Sequence, residues 1–359
     1  MAAGCCGQRR RRVAFMAEPA LRTPRVLRVG TDFSGLDTAV LALKRLDLPM
    51  RVQFVSDCDP ACQRLLRALH KPKALFTDVL ARTPDEEEPV HLYITTPPCQ
   101  SYSSSGKRKG VADARGRVVS ASMQYVHRRR PRVVVLENVT GFTHKKHQPV
   151  FRGILKALTQ MGYHTRAKIL NARKYKVAQD RRRVFIVAIR RDSLRRPFKW
   201  PRPTGKRTLT EVLDPLGRGD KARRLPRLER PKRMARLAFA KIWAGGVDPG
   251  ITPCAVDVGC SEKYLTWGVD ISRTLCRGRA ASGGFWVSTR SRRMTTTELM
   301  RVSGVHPSEL TGWEECCTKS QLGQMLGNCV PVPLIGAVLQ SALWSGGLLS
   351  MRRPFPDRA

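Results

Sequence analysis

The sequence predicts an α/β protein with a doubly wound, mainly parallel sheet and a smaller, irregular second domain. Seven short apolar runs alternate with amphipathic stretches between residues 25 and 191, and this alternation is typical of parallel strands joined by crossover helices. Several runs stop at small or acidic residues, and residues just beyond strand ends hold ligands in open α/β sheets. From residue 192 the periodicity fades and Pro, Arg and Lys dominate, which predicts a domain boundary.

Composition and charge narrow the class of protein. Of the 359 residues, 42% are hydrophobic, and no apolar run approaches the roughly 20 residues that span a bilayer, so we expect no membrane partner. The net charge of +38 predicts a polyanionic partner, most simply nucleic acid, with an arginine-rich codon bias as a partial alternative explanation. The 11 cysteines are irregularly spaced and no CxxC pair recurs, so we expect neither a metal site nor disulfides, and a reducing compartment.

The elements can be placed in order from their apolar runs and flanking residues. Order begins at Arg25, where a strand leads into a small-residue turn at 32–35 and then a helix with Asp37 or Thr38 as its cap. Six further strands are predicted at 52–55, 74–76, 91–94, 132–136, 163–170 and 183–189. Further helices are predicted at 60–69, about 118–129, 148–161, 294–302, 319–326 and 332–343.

Three strand ends carry residues that suit chemistry. Cys99 follows two prolines in TPPCQSYSSSG, where small residues leave room for a substrate, although an ordinary loop cysteine is the alternative. Glu137 ends a β-branched run, where a carboxylate is costly to bury without purpose, so it is a candidate acid; the alternative is a helix cap or ion-pair partner. Asp57 and Asp59 end the second strand, where a carboxylate binds ribose hydroxyls or caps the next helix.

The order of the motifs carries a family resemblance. In sequence they are FSGL, an acidic pair, TDV, TPPCQ, ENV, QDRRR, RMTTTE and GNCVP. From about Val26 to Leu339 the chain resembles the cytosine-5 DNA methyltransferase family. The resemblance implies the Rossmann-like, S-adenosylmethionine-dependent methyltransferase fold, and methyl transfer to carbon 5 of a cytosine flipped out of DNA. It also implies S-adenosyl-L-methionine as cofactor and double-stranded DNA as partner; the oligomeric state is left open.

The resemblance assigns the chemistry to four residues. Cys99 matches the thiolate that adds to carbon 6 of cytosine and thereby makes carbon 5 nucleophilic. Glu137 matches the ENV carboxylate, which hydrogen-bonds ring nitrogen 3 and the exocyclic amine. Arg181 and Arg183 match the arginines of Q-x-R-x-R, which hold the base oxygen and a phosphate and help to keep Cys99 ionised.

Cofactor and substrate contacts follow from the same motifs and from charge. The implied cofactor-binding residues are Phe33, Ser34, Gly35, Leu36, Asp57, Asp78, Pro98, Asn328 and Val330. The expected substrate-binding residues are Gln100, Ser101, Ser104, Asn138, Gln179, Arg223, Arg224 and Arg227. The three arginines lie in a basic connector, residues 190–236, whose charge density predicts contacts with phosphates rather than with bases.

These assignments divide the chain into five parts. They are a basic disordered tail (1–24), a catalytic methyltransferase domain (25–191), the basic connector with the target-recognition domain (192–317), a C-terminal segment that returns to the catalytic domain (318–345) and a tail (346–359). The GQRRRR run near the N-terminus predicts a nuclear location in a eukaryotic host; an organelle transit peptide and a nucleic-acid-binding tail are the alternatives.

Two motifs depart from the family pattern, and one alternative function stays open. Asp37 stands where the first motif usually has a second glycine, so we expect the cofactor turn to be built differently. GVHP at 304–307 replaces the usual GFP. The alternative function is a tRNA cytosine-5 methyltransferase of the same fold, but the CFT tripeptide of that branch is absent, which favours DNA. A silent nucleic-acid-binding relative is disfavoured by the intact catalytic motifs.

Overall fold

The computed structural model describes residues 22–83, 85–86, 88–98, 114–217, 224–351 and 355–357. The predicted N-terminal tail lies outside these residues except for 22–24. The strands are β1 Leu27–Asp32, β2 Met50–Ser56, β3 Ala74–Phe76, β4 Leu92–Thr95, β5 Val133–Val139, β6 Tyr163–Asn171, β7 Gln179–Asp180, β8 Arg182–Arg190, β9 Cys254–Val256, β10 Trp267–Val269, β11 Ser272–Arg273, β12 Trp286–Val287 and β13 Arg292–Arg293. The helices are α1 Thr38–Arg45, α2 Pro60–His70, α3 Ala114–Arg129, α4 Gln148–Gln160, α5 Glu229–Ala244, α6 Arg277–Ala281, α7 Thr296–Val302, α8 Trp313–Cys316, α9 Lys319–Asn328 and α10 Val332–Ser345.

The central sheet confirms the predicted fold class. Within the described residues it has seven strands in the order β3-β2-β1-β4-β5-β8-β6. The strands from β1 to β5 are parallel, whereas β8 runs antiparallel to both β5 and β6. The strand order reverses between β1 and β4, and ligands bind at such a switch point, beyond the carboxyl ends of the strands.

Alternation along β5 explains why helices cover both faces of the sheet. Val133 and Val135 pack in one apolar cluster with α1 and α10, whereas Val134 and Leu136 pack in a second cluster with α3 and α4. Successive side chains of a strand point to opposite faces, so a continuous run of β-branched residues needs cover on both sides. The run that looked like a buried strand in the sequence is therefore the centre of a doubly wound domain.

The last helix completes this domain. Helix α10 contacts α1, β5 and β8, and 13 of its 14 residues are buried. No single helix in the described part of the chain is long and apolar enough to cross a membrane; α9 and α10 pass that test only as a pair bent by 44°. Because the side chains of α10 pack in the core of the sheet domain, their apolar character is accounted for by that packing.

A second, smaller unit lies between residues 229 and 293. Its sheet has the order β10-β9-β12-β13, and α5 packs on it through a small core of Met234, Ala238, Ile242 and Val256. We call residues 229–293 the recognition region. The prediction of an extended connector up to residue 236 is wrong from Glu229 onward, because α5 begins there. The earlier part of the connector also folds onto the protein, since Leu209 and Val212 are buried.

Candidate active site

The carboxyl ends of the parallel strands bring the sequence motifs together. FSG follows β1, Asp57 follows β2, the TDV turn follows β3 and TPP follows β4. Glu137 lies near the carboxyl end of β5 itself. We call these strand ends and the segments that follow them the carboxyl edge. The strand ends lie side by side along this edge, because β3, β2, β1, β4 and β5 are parallel neighbours in the sheet.

The turn after β1 contains left-handed residues. Phe33, Gly35 and Asp37 have φ values of 58°, 55° and 50°, a conformation that glycine adopts without steric cost and other residues rarely adopt. A Cβ atom on Gly35 would meet no atom of the described residues beyond its chain neighbours within 4 Å. The backbone at Gly35 therefore borders open space in which a ligand can lie.

Asp37 explains how the turn tolerates the missing second glycine. Its carboxylate accepts hydrogen bonds from Thr31 Oγ1 at 2.6 Å and from the Val40 amide at 3.2 Å, the second of which caps α1. These bonds offset part of the strain of a left-handed aspartate, since aspartate is one of the few residues that visit this region with local hydrogen bonds. Burial raises the pKa of Asp37 to about 6. The turn is thus built differently, as expected, with a buried carboxylate in place of a glycine.

Asp57 sits at the end of β2 with its carboxylate fixed by the backbone. Its Oδ2 accepts the Gly35 amide at 2.7 Å and its Oδ1 accepts the Asp59 amide at 2.9 Å. Asp59 is the N-cap of α2 and accepts the Ala61 amide at 2.9 Å. Burial raises the pKa of Asp57, against the effect of the two amides. The two acidic residues therefore divide the tasks left open by the sequence: Asp59 caps, and half-buried Asp57 faces the turn at Gly35.

Asp78 forms a tight turn after β3. Its Oδ1 accepts the Leu80 amide at 2.8 Å, and its carbonyl accepts the Ala81 amide at 3.3 Å. The side chain is exposed, so it is available to a ligand. A cavity of about 260 Å³ adjoins this turn; it is lined by Val79, Leu80, Arg82, Ser120, Ala121, Gln124 and Arg128.

The TPP segment is tied to its neighbours on both sides. Thr96 Oγ1 donates to the Phe33 carbonyl at 2.9 Å, and Asn138 Nδ2 donates to the Pro97 carbonyl at 3.3 Å. Asn138 is 2% exposed and its Oδ1 accepts the Val139 amide at 2.9 Å. Asn138, predicted to contact substrate, thus connects β5 to the segment that precedes Cys99. The predicted residues Cys99, Gln100, Ser101 and Ser104 lie outside the described residues, and Pro98 is half-buried.

Glu137 and Arg183 form a pair at the end of β5. Arg183 Nε lies 3.0 Å from Glu137 Oε1. The two residues are diagonal neighbours in the antiparallel pairing of β5 with β8, where Arg183 is opposite Val139 and Glu137 is opposite Phe185. Glu137 is 6% exposed. Burial raises the pKa of Glu137, while Arg183 and Arg181 act in the opposite direction. A carboxyl in this environment is poised to hold or donate a proton.

Arg181 has the largest fully buried side chain among the described residues, and its guanidinium forms hydrogen bonds inside the protein. It donates to the Leu275 carbonyl at 2.5 Å, to the Gly327 carbonyl at 3.1 Å and to the Asn328 carbonyl at 3.0 Å. With 1% of its surface exposed, it joins the junction of β7 and β8 to the recognition region and to α9. Through these contacts Arg181 positions the segments around it. The family resemblance instead implies that its guanidinium binds the cytosine oxygen or a phosphate.

Gln179 is occupied in the same way. Its Nε2 donates to the Val302 carbonyl at 3.2 Å and its Oε1 accepts the Leu275 amide at 3.1 Å, with 1% of the side chain exposed. Its strand, β7, pairs with β11 of the recognition region. The predicted contact of Gln179 with substrate is therefore replaced, in this structure, by contacts that anchor the recognition region.

Three predicted cofactor residues differ in their exposure. Leu36 and Val330 have side chains in the main apolar cluster, 1% and 4% exposed, so they support the turns rather than line a cavity. Asn328, the last residue of α9, is exposed. Between Asn328 and Val330 lies a second thiol, Cys329, whose pKa desolvation raises to about 11. Cys329 is consequently protonated at neutral pH and unsuited to act as a nucleophile.

Two of the three predicted phosphate contacts are described, and both are exposed. Arg224 and Arg227 lie before α5, and the Arg224 amide donates to Ser291 Oγ at 2.7 Å. Arg223 lies outside the described residues. Among the residues that the structure covers, no group of His, Cys, Asp and Glu side chains is arranged to hold a metal ion.

The fold and the carboxyl edge are those of a Rossmann-like methyltransferase. The structure of the S. pombe Dnmt2 methyltransferase superposes with a TM-score of 0.62 and 18% identity over 89% of this chain and 98% of that one. The Entamoeba histolytica methyltransferase EhMeth superposes with a TM-score of 0.62 and 15% identity over the same shares. At such identities the likeness concerns the fold.

The sequence comparisons define the family. The C-5 cytosine-specific DNA methylase family matches residues 31–344, and the chain belongs to this family. The Type II methyltransferase M.MthTI of Methanothermobacter thermautotrophicus is 33% identical over 52% of this chain and 56% of its own length. M.HhaI of Haemophilus parahaemolyticus is 28% identical over 68% of this chain and 75% of its own length. The chain thus matches about half of the length of M.MthTI.

Proposed function

We propose that the protein transfers a methyl group from S-adenosyl-L-methionine to carbon 5 of cytosine in double-stranded DNA. Family membership supports the reaction class. The observation that carries the proposal is the buried Glu137–Arg183 pair, joined through Asn138 and the Pro97 carbonyl to the segment that leads into Cys99. An acid and the segment of a nucleophile are thereby held at adjacent strand ends, as addition to a cytosine ring requires.

The residues of the carboxyl edge fit the proposed cofactor. Asp57 accepts two backbone amides and a side-chain hydrogen bond from Cys62. Since a carboxylate has about four acceptor sites, it can still accept a ribose hydroxyl. Gly35 borders open space, and exposed Asp78 lies beside the cavity next to the TDV turn. Phe33, Ser34, Pro98 and Asn328 would complete the site. When bound, the cofactor supplies an electrophilic methyl group on a sulfonium.

Each catalytic side chain has a defined task in the proposed mechanism. The Cys99 thiolate adds to carbon 6 of the flipped cytosine, and the electron pair moves toward carbon 5. Ring nitrogen 3 gains negative charge in this step. Glu137, whose pKa burial raises, donates a hydrogen bond or its proton to nitrogen 3 and thus stabilises the adduct. Arg183 orients the Glu137 carboxyl through the 3.0 Å contact. After methylation, loss of the carbon-5 proton to a base expels the Cys99 thiolate.

Covalent trapping tests the proposal. Wild type and Cys99→Ser are incubated with S-adenosylmethionine and a duplex containing 5-fluorocytosine, in which the carbon-5 fluorine blocks the final elimination. We expect a denaturation-resistant complex with wild type and none with Cys99→Ser. Cys329→Ser, which removes the other thiol near Glu137, is the matched control and should still form the complex. Trapping by Cys99→Ser, or its loss in Cys329→Ser alone, would contradict the assignment of the nucleophile.

The alternative substrate is separated by a parallel reaction. The same enzyme is offered unmodified duplex DNA and a tRNA pool with labelled S-adenosylmethionine. We expect label in DNA, and bisulfite sequencing then gives the methylated sequence context. Label confined to tRNA would replace the DNA proposal by the tRNA methyltransferase alternative.

A further inference from the structure

A buried arginine outside every motif lies behind the TDV turn. Arg82 Nη1 and Nη2 donate to the two carboxylate oxygens of Asp32 at 2.9 and 3.0 Å. The two side chains are 1% and 0% exposed. The Tyr93 hydroxyl donates to Asp32 Oδ2 at 2.5 Å. This is a bidentate pair with a third hydrogen bond, all within the protein interior.

Aromatic rings surround the Arg82 guanidinium. Its central carbon lies 4.8 Å from the ring centre of Phe54, 5.3 Å from that of Phe76 and 5.0 Å from that of Tyr125. Planar guanidinium groups stack on such rings and match a carboxylate in two bonds, whereas a lysine ammonium does neither as well. Each part of the environment therefore selects arginine.

Stability alone does not account for this arrangement. Taking two charges out of water is expensive, and well-packed apolar residues of similar size often replace a buried pair without loss of stability. In some proteins a buried polar or ionic group instead fixes one arrangement of the segments around it. The relevant question is which segments the Arg82–Asp32 pair joins.

The pair joins three strand ends of the carboxyl edge. Asp32 is the last residue of β1 and immediately precedes the turn at Phe33. Its carbonyl accepts the Thr96 amide at 3.2 Å, where β4 leads into the TPP segment. Arg82 follows the turn of Asp78, which is closed by its bonds to the Leu80 and Ala81 amides. The turn of Asp78 is thus attached to the end of β1 through one side chain.

We propose that Arg82 is a positioning residue for the cofactor site. Through Asp32 it holds the Asp78 turn at a defined distance from the Phe33–Asp37 turn, so that the two predicted contact segments meet the same S-adenosylmethionine molecule. The inference rests on the proposed function. It adds a requirement that none of the sequence motifs contains: cofactor affinity depends on a buried arginine that acts through its pair with Asp32.

A second buried pair provides a matched control. Arg45 Nε and Nη2 donate to Glu309 at 2.7 and 2.5 Å, and these side chains are 1% and 8% exposed. This pair joins the end of α1 to the segment after α7. It has the same chemistry and the same burial as the Arg82 pair, but it lies outside the carboxyl edge.

The experiment measures S-adenosylmethionine binding by calorimetry for wild type, Arg82→Gln, Arg82→Lys, Tyr93→Phe and Arg45→Gln, at a temperature where circular dichroism shows each to be folded. We expect Arg82→Gln to bind at least about tenfold more weakly, the scale of a lost charged hydrogen bond. Arg82→Lys should be intermediate and Tyr93→Phe mildly weakened. Arg45→Gln should lower Tm but leave the Kd unchanged. In turnover, KM for S-adenosylmethionine should rise in Arg82→Gln while KM for DNA stays the same.

Three results would overturn the inference. One is an unchanged Kd in Arg82→Gln, and another is an equal weakening in Arg45→Gln, which would indicate a general effect of lost stability. If Arg82→Gln does not fold, Arg82→Lys and Tyr93→Phe decide, and unchanged affinity in both is the third. Failure of the proposed function has a different signature, since wild type itself would then bind no S-adenosylmethionine.

Discussion

The carboxyl edge and the recognition region differ in what holds their side chains. The carboxyl edge belongs to a sheet whose strands, apart from the short β3, have four to nine residues. The polar groups of Asp37, Asp57 and Asn138 at this edge are hydrogen-bonded to backbone amides or carbonyls. In the recognition region the strands have two or three residues. The Arg279–Asp257 pair, at 2.8 Å, connects α6 to the residue that follows β9.

This difference indicates that residues for catalysis and residues for DNA recognition can be substituted independently. Backbone bonds fix the reacting groups to a rigid sheet, which catalytic geometry requires. Strands of two or three residues are held by fewer backbone hydrogen bonds, so the recognition region should tolerate exchange of residues more readily. Substitutions at the carboxyl edge should therefore change rates or cofactor affinity, and substitutions in or before the recognition region should change DNA affinity or stability.

The largest effect is expected for Glu137→Gln. The amide keeps the shape of the side chain but cannot donate a proton to the cytosine ring, and loss of a general acid typically lowers kcat by about 10²–10⁴-fold. DNA binding should be retained, because contacts with phosphates supply much of the affinity for DNA and Glu137 is a buried carboxylate. Single-turnover methylation and a binding titration on the same duplex measure the two quantities.

A matched buried carboxylate sharpens this test. Glu298 is fully buried and lies 2.8 Å from Arg292 at the border of the recognition region. Glu298→Gln should lower the free energy of unfolding while kcat stays within the range of wild type. A kcat loss as large in Glu298→Gln as in Glu137→Gln would show that the two regions are not separable.

An intermediate effect is expected for Asp37→Asn, on stability and its pH dependence. Burial raises the pKa of Asp37 from 3.8 to about 6. A carboxyl whose pKa is higher in the folded chain stabilises the fold fully below its unfolded pKa and loses that contribution as pH rises through its folded pKa. Relative to the variant, wild type should thus lose about 2 kcal/mol between pH 4 and pH 7, which is most of the effect of raising the pKa from 3.8 to about 6 at about 1.36 kcal/mol per pKa unit.

Asparagine suits this position, so the comparison isolates the charge. It tolerates left-handed backbone and caps helices as aspartate does. Urea unfolding of both proteins from pH 4 to pH 8 gives the difference. Asp47→Asn, at an exposed aspartate with φ of 51°, is the control for the backbone. Parallel stability curves for wild type and Asp37→Asn would contradict the prediction.

The smallest effect is expected for the connector arginines. Replacing Arg223, Arg224 and Arg227 by Gln should weaken binding to all duplexes alike, because phosphate contacts carry no sequence information. The slope of log affinity against log salt should become shallower by up to about one unit for each lost contact. Salt titrations on several duplexes measure both.

A charge-matched variant at the opposite edge completes that test. Arg25, Arg51 and Arg67 are exposed and lie toward the amino ends of the strands. Their replacement by Gln removes the same charge and should leave the slope as in wild type. If the connector variant instead alters the methylated sequence context with an unchanged slope, these arginines read bases.

The sheet was predictable because its signals are local. Runs such as 132–136 and 183–189 are apolar and bounded by turn residues, and they correspond to β5 and β8. Helix α5 was missed because four basic residues between 230 and 236 obscure the spacing of Met234, Ala238 and Ile242, which form its buried face. Strands of two or three residues are too short to show a periodic pattern of apolar residues, so the secondary structure of the recognition region could not be predicted from the sequence.

The site was predictable where a motif names the residue, and less so where tertiary contacts decide its task. Arg181 and Gln179 belong to a motif, yet their partners Leu275 and Val302 are about a hundred residues away. Arg82 belongs to none of the motifs, and in the sequence it is indistinguishable from other basic residues that precede a charged loop. Its partner Asp32 is 50 positions away, a separation that local pattern does not report.

The packing of α10 has a consequence for how the protein is made. All seven strands of the central sheet have been synthesised once residue 190 is translated, but the helix that packs on α1, β5 and β8 begins at residue 332. At 5–20 residues per second the nascent chain carries an uncovered apolar face for about 10–30 s. Chaperone binding during synthesis, and insolubility of fragments that stop before residue 332, follow from this order of translation.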